Sequence, residues 1–188
     1  MSNINYDYHN PDPQAVRAFD TLWRSNRPWI LNYLGKSGTG KSQFLSWLIE
    51  NRCQVADEIP YSLVSFRTYT SDIDTLLSSM AASIISTAPF SREQATRVAQ
   101  KLTGKETAHW IGVDDSMPLI LFFDDYETFQ AESTKEQRSI FLDSINHAHM
   151  RLPGLRVVIA SSDYCLMPDV WFYMREYVDF EQRDAYFR

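Results

Sequence analysis

Only two cysteines occur in 188 residues. Cys53 and Cys165 show no metal-ligand spacing and no disulfide framework, so a reducing cytoplasm is the default expectation. No segment approaches the roughly 20 apolar residues of a membrane span, and the polar N-terminus does not read as a signal peptide. Positive charge is also short. Eighteen Lys and Arg against 24 Asp and Glu leave a net charge of −6, which argues against bulk electrostatic binding to nucleic acid or an anionic membrane. A local basic patch stays open. The four histidines are scattered, and His147 and His149, two apart on an expected helix, diverge too far to share a metal. No Ser/His/Asp or Cys/His arrangement is legible, and there is no internal repeat or low-complexity tract. What is present is a globular composition, 44% hydrophobic, 22% charged and 14% aromatic, sufficient for one domain with a sizeable core.

Glycine is scarce too, at six residues, but three of the six fall together. Residues 35–42 read Gly-Lys-Ser-Gly-Thr-Gly-Lys-Ser, a full match to the P-loop pattern GxxxxGK[ST]. Gly35 and Gly40 admit backbone conformations closed to residues with a Cβ, so that successive N–H groups can curl around phosphate oxygens. Lys41 supplies a point charge for the β- and γ-phosphates. Ser42 offers a hydroxyl to Mg²⁺ in the first turn of a helix whose positive end faces the anion. The candidate nucleotide-binding set is Gly35, Lys36, Ser37, Gly38, Thr39, Gly40, Lys41, Ser42 and Gln43. The apolar run Trp29–Leu34 before the loop reads as a strand, and Gln43–Glu50 after it has apolar residues at helical spacing.

Around this loop the chain alternates strand and helix. Residues 1–12 read as an irregular arm, and a helix is expected from Pro13 to about Ser25, with Val16, Phe19, Leu22 and Trp23 inward. Tyr61–Phe66 alternates like a strand. Ser71 is expected to cap a helix reaching Thr87, and a further helix spans Ser91–Leu102 and stops at Gly104. Residues 103–117 are turn-rich. Pro118–Phe123 is a continuous apolar run ending in Asp124-Asp125, the pattern of a buried parallel strand. A helix over Thr134–Met150, a short strand over Leu155–Ala160 and a last strand over Glu176–Phe180 complete an α/β alternation.

Asp124, at the tip of a strand, is the candidate to hold Mg²⁺ with Ser42, and Asp125 the candidate general base for the attacking water. Acidic pairs also end strands merely to cap the next loop, and Glu127 is a weaker rival for the base.

These residues resemble the ASCE division of P-loop NTPases: Walker A at 35–42, Walker B at Leu119–Asp125, and a following strand ending in Ser161-Ser162. The resemblance implies a three-layer fold with a parallel five-stranded sheet in the order 5-1-4-3-2 and helices on both faces. Within the division, the N-terminal helix and Arg156–Asp163 are similar to STAND ATPases (NACHT and NB-ARC relatives) and, less closely, to AAA+ proteins. That implies ATP and Mg²⁺ as ligands, Lys41, Asp124 and Asp125 as the catalytic set, and a slow ATPase switch in a signalling or assembly system that works with a protein partner or by self-association. An Asn-Lys-x-Asp guanine-reading motif is absent, which agrees with ATP. Ser161 or Ser162 would sense the γ-phosphate or simply cap its loop. Arg175, expected just before the last strand, reads either as an arginine finger or as a solvated arginine.

STAND proteins often carry an arginine after the fourth strand, which Ala160-Ser161-Ser162-Asp163 does not. The resemblance covers residues 13–180, and the NTPase core 13–188 is expected without the usual C-terminal lid. Tyr6, Tyr8 and His9 lie either beside the adenine or in a loose tail. Trp171, Phe172, Tyr173, Tyr177 and Phe180 are either core or an interface. Two rivals stand beside the ATPase switch: a non-catalytic nucleotide-binding or protein-interaction module, and an AAA+-type ATPase acting on DNA, which the acidic balance disfavours. A small-molecule kinase is set aside because residues 126–188 lack an arginine cluster.

Overall fold

Long apolar runs become the strands here because helices cover both of their faces. The computed structural model describes residues 11–24, 28–54, 59–68, 72–88, 91–105 and 117–164, together with the backbone of 170–174. Strands β1 (Ile30–Leu34), β3 (Leu119–Asp124) and β4 (Leu155–Ser161) are buried along almost their whole lengths. They form a parallel sheet with β2 (Tyr61–Ser65) at one edge, in the order β2-β3-β4-β1, and β5 (Val170–Met174) runs parallel beside β1. The register sets Leu34 opposite Ser161 and Ser65 opposite Asp124, so the C-terminal ends of four strands share one edge. Ligands of open α/β sheets bind along that edge.

The period of two along each strand divides the interior. Ile120, Phe122, Leu31, Tyr33 and Val158 meet α1 (Pro13–Arg24) and α2 (Lys41–Leu48) on one face. Leu119, Leu121, Phe123, Val157 and Ile159 meet α3 (Ile73–Thr87), α4 (Arg92–Thr103) and α6 (Lys135–Arg151) on the other. Local chemistry sets the helix ends. Ser91 with Gln94, and Thr134 with Gln137, make reciprocal capping boxes, and Gly104 closes α4 at φ 69°. Buried Arg156 of β4 ties down the end of α1, donating from Nε to the Leu22 carbonyl at 3.3 Å.

Several expectations shift. The N-cap of α3 is Asp72, not Ser71: its carboxylate accepts the Thr75 N–H at 3.0 Å, which moves the helix start by one position. The strand after β4 is Val170–Met174, an apolar, aromatic run that pairs in register with Ile30–Leu34, whereas Glu176–Phe180 lies outside the described residues. Arg175 also lies outside the described residues, as do Tyr6, Tyr8, His9 and Cys165. A short helix, α5 (Tyr126–Glu132), stands where no helix was expected, and α2 continues as π-helix over Ile49–Gln54. Among the described residues no helix is long and apolar enough to cross a membrane.

Candidate nucleotide-binding site

The loop between β1 and α2 is drawn tight by its own atoms. The Gly35 N–H donates to the Ser161 carbonyl at 3.2 Å, and the Thr39 N–H to the Lys36 carbonyl at 3.2 Å. A Cβ at Gly35 would come 2.6 Å from Thr39 Oγ1, so only glycine fits there without displacing Thr39. Gly38 (φ 81°) and Gly40 (φ 82°) lie in the left-handed region, and Gly40 is the N-cap of α2. Lys41, only 8% exposed, folds back over the loop and donates from Nζ to the carbonyls of Gly35 (2.7 Å) and Lys36 (3.1 Å). The ammonium thus stands over the centre of the cradle. Lys36, Ser37, Gly38, Ser42 and Gln43 are exposed around it.

The carboxylate half is assembled from distant segments. Asp124 ends β3, and the Ser42 side chain at the start of α2 is among the groups that act on its carboxylate. Burial is the largest influence on Asp124 and raises its pKa above the usual aspartate value. The Ser42 side chain opposes that rise, while the charges of Asp125 and Glu127 add to it. Asp125 adopts φ 53° as the N-cap of α5, a left-handed conformation that aspartate tolerates better than most residues. Its Oδ1 pairs with Arg67 Nη2 at 3.0 Å, and the Arg67 side chain is 75% exposed. Glu127 lies in the first turn of α5, with Oε2 buried and without a hydrogen-bond partner among the described residues.

Aromatic packing holds this half in place. Phe66, beside Arg67, packs on Phe123, Tyr126, Phe129 and Phe141 with ring centroids 4.9–5.9 Å apart. Phe123 precedes Asp124 and Tyr126 follows Asp125, so the rings that fill the core also fix the strand tip. Ser161 is fully buried, and its hydroxyl turns inward, 2.8 Å from Asn32 Oδ1 and 2.5 Å from the Asp163 carbonyl. In this arrangement it braces the end of β4.

The structure thus brings Gly35–Gln43, Asp124, Asp125 and Ser161 to one edge of the sheet. Sequence reasoning missed Arg67 and Asn32. Asn32 left a signal, a lone amide inside an apolar strand, whereas nothing near Arg67 marked it.

No family model matches this chain, and no curated protein matches it in sequence. Solved structures do match in fold. A chain of Drosophila ORC bound to DNA superposes with a TM-score of 0.56 at 13% identity, covering 87% of this chain and 41% of that one. A Walker-type ATPase of Pyrococcus abyssi gives 0.53 at 14% identity, covering 93% of this chain and 56% of that one. The present chain spans about half the length of these two structures. The likeness is one of fold alone: a parallel α/β sheet with helices on both faces.

Proposed function

We propose that this chain is a Mg-dependent, ATP-binding P-loop NTPase core of the ASCE division, STAND-like, which hydrolyses ATP slowly and acts as a nucleotide switch in a cytoplasmic signalling or assembly system. The observation that carries this reading is the P-loop cradle, in which Gly38 and Gly40 take left-handed conformations and Lys41 folds over the loop onto the Gly35 and Lys36 carbonyls. With β5 counted beside β1, the order 5-1-4-3-2 supports the ASCE assignment. We take residues 13–188 as the core and 1–12 as an arm.

A hydroxyl and a carboxylate are hard oxygen donors that suit Mg²⁺, so Ser42 and Asp124 would hold it. The ion supplies neutralisation of charge on the phosphate oxygens. The residues of the chain do the rest. Lys41 Nζ exchanges the Gly35 and Lys36 carbonyls for oxygens of the β- and γ-phosphates, and the loop amides wrap the same groups. Asp125 orients a water in line with the γ-phosphorus and accepts its proton, as the new P–O bond forms and the bond to the ADP oxygen breaks. For that, the carboxylate must leave Arg67, and this keeps turnover slow. Loss of the γ-phosphate then alters contacts along the end of β4, and a protein partner or a second copy reads the change.

Calorimetric titration with ATP and ADP in Mg²⁺, beside a phosphate-release assay, tests the reading. Binding that is abolished in Lys41→Ala, with turnover suppressed in Asp125→Asn, is the expected result. Binding without any turnover would instead make this a non-catalytic nucleotide module. An ATPase acting on DNA is the alternative raised by the DNA-bound ORC chain, and net charge −6 weighs against it. A rate stimulated by duplex DNA would reverse that preference.

A further inference from the structure

Asn32 is the one polar residue of β1, flanked by Ile30, Leu31, Tyr33 and Leu34, and it is fully buried. A buried amide persists in a strand only where hydrogen bonds repay its removal from water. Its Oδ1 lies 2.8 Å from Ser161 Oγ, and its Nδ2 donates toward the Asp163 carbonyl at 3.4 Å. Ser161 Oγ is also 2.5 Å from that same carbonyl. A hydroxyl has one proton, so Ser161 satisfies Asn32 or Asp163 but not both at once, and Asn32 holds the two alternatives together.

This small network touches both halves of the site. On one side the Ser161 carbonyl accepts the Gly35 N–H, the first amide of the P-loop, at 3.2 Å. On the other, Tyr164, one residue beyond Asp163, accepts from Gln130 Nε2 at 3.3 Å. Gln130 belongs to α5, the helix capped by Asp125. A continuous strap therefore runs from the phosphate cradle through Ser161, Asn32, Asp163 and Tyr164 to the helix that carries the water-orienting carboxylate.

Building on the ATPase reading above, we propose that Asn32 is a positioning residue: it locks this strap, so that the P-loop and the head of α5 keep one spacing during phosphoryl transfer. Nucleotide affinity comes from the loop itself and does not need the strap. Alignment of the attacking water does need it, because a small misplacement there is expensive in rate.

The test is steady-state ATP hydrolysis by the full chain, with calorimetric affinities for ATP, in wild type, Asn32→Leu, Gln130→Leu and the double variant. We expect kcat to fall about tenfold in Asn32→Leu while the ATP affinity changes by less than about threefold. Gln130→Leu, at the far end of the strap and only half-buried, should lower kcat by a smaller factor and carries the test should Asn32→Leu fail to fold. The double variant should be no slower than Asn32→Leu alone, because both cut one connection. Unchanged kcat, equal losses in rate and affinity, or multiplying losses in the double variant would overturn the proposal while leaving the ATPase reading intact. A wild type that binds no ATP overturns both. One that binds without turnover removes the transfer step to be positioned, and so overturns this proposal while nucleotide binding stands.

Discussion

The phosphate half and the carboxylate half of the site are built by opposite means. Eight contiguous residues make the cradle, and its shape follows from local constraints: a glycine that admits no Cβ, two left-handed glycines and a lysine folded onto its own loop. The carboxylate half draws Arg67 from the end of β2, Asp124 and Asp125 from β3 and α5, and packed rings that reach as far as Phe141 in α6. A local device survives by backbone geometry, whereas a distributed one survives only while the core holds its parts. The first therefore announces itself in sequence and the second does not.

The comparison can be broken most sharply at Lys41. Lys41→Ala should weaken ATP binding beyond about 100-fold in calorimetry while leaving the Tm nearly unchanged, because the charge serves the ligand and not the core. Tight ATP binding by that variant would remove the cradle from the mechanism. Next in size, Asp125→Asn should spare ATP affinity and lower the phosphate-release rate by about 10²-fold or more, the scale of a lost general base. Equal rates in the variant and wild type would shift the role to another group, with Glu127 the nearest.

Arg67→Ala should act the other way, raising turnover several-fold by freeing Asp125, and its effect on stability should be small because the arginine is largely exposed. A fall in rate would mean that Arg67 serves the reaction instead of restraining it. The smallest effect concerns pH and stability. Asp124 is held above the usual aspartate pKa, chiefly by burial. The folded state thus favours its protonated form, and this stabilising contribution is complete below the unfolded aspartate pKa and is lost as pH rises through the raised folded value. Asp124→Asn should therefore raise the Tm slightly at neutral pH, with the gain shrinking below about pH 4, while Mg-dependent turnover disappears. A lower Tm at neutral pH would show that the polar neighbours of Asp124 outweigh the burial.

Legibility followed the same divide. Pro118–Phe123 was recognisable as a buried strand because helices on both faces permit an unbroken apolar run, and Ile73, Leu76, Leu77, Met80 and Ile84 marked α3 by their spacing. Helix α5 escaped notice because Tyr126–Glu132 is too short to show a period, and its rings are held by Phe66 and Phe141 from elsewhere in the chain. Strand β5 was missed for a related reason. Val170–Met174 looks like an aromatic cluster until its pairing with β1 is known.

The sequence by itself determined the phosphate cradle, the buried strands and the alternation of helix and strand, since each depends on residue type and spacing within a few turns of chain. Tertiary structure alone decided that Arg67 holds Asp125, and that the one hydroxyl proton of Ser161 faces two acceptors, Asn32 Oδ1 and the Asp163 carbonyl. Arg67 and Asp125 are 58 positions apart, and Asn32 and Ser161 are 129 apart. Only the parallel register, which brings the strand ends to one edge, makes them neighbours.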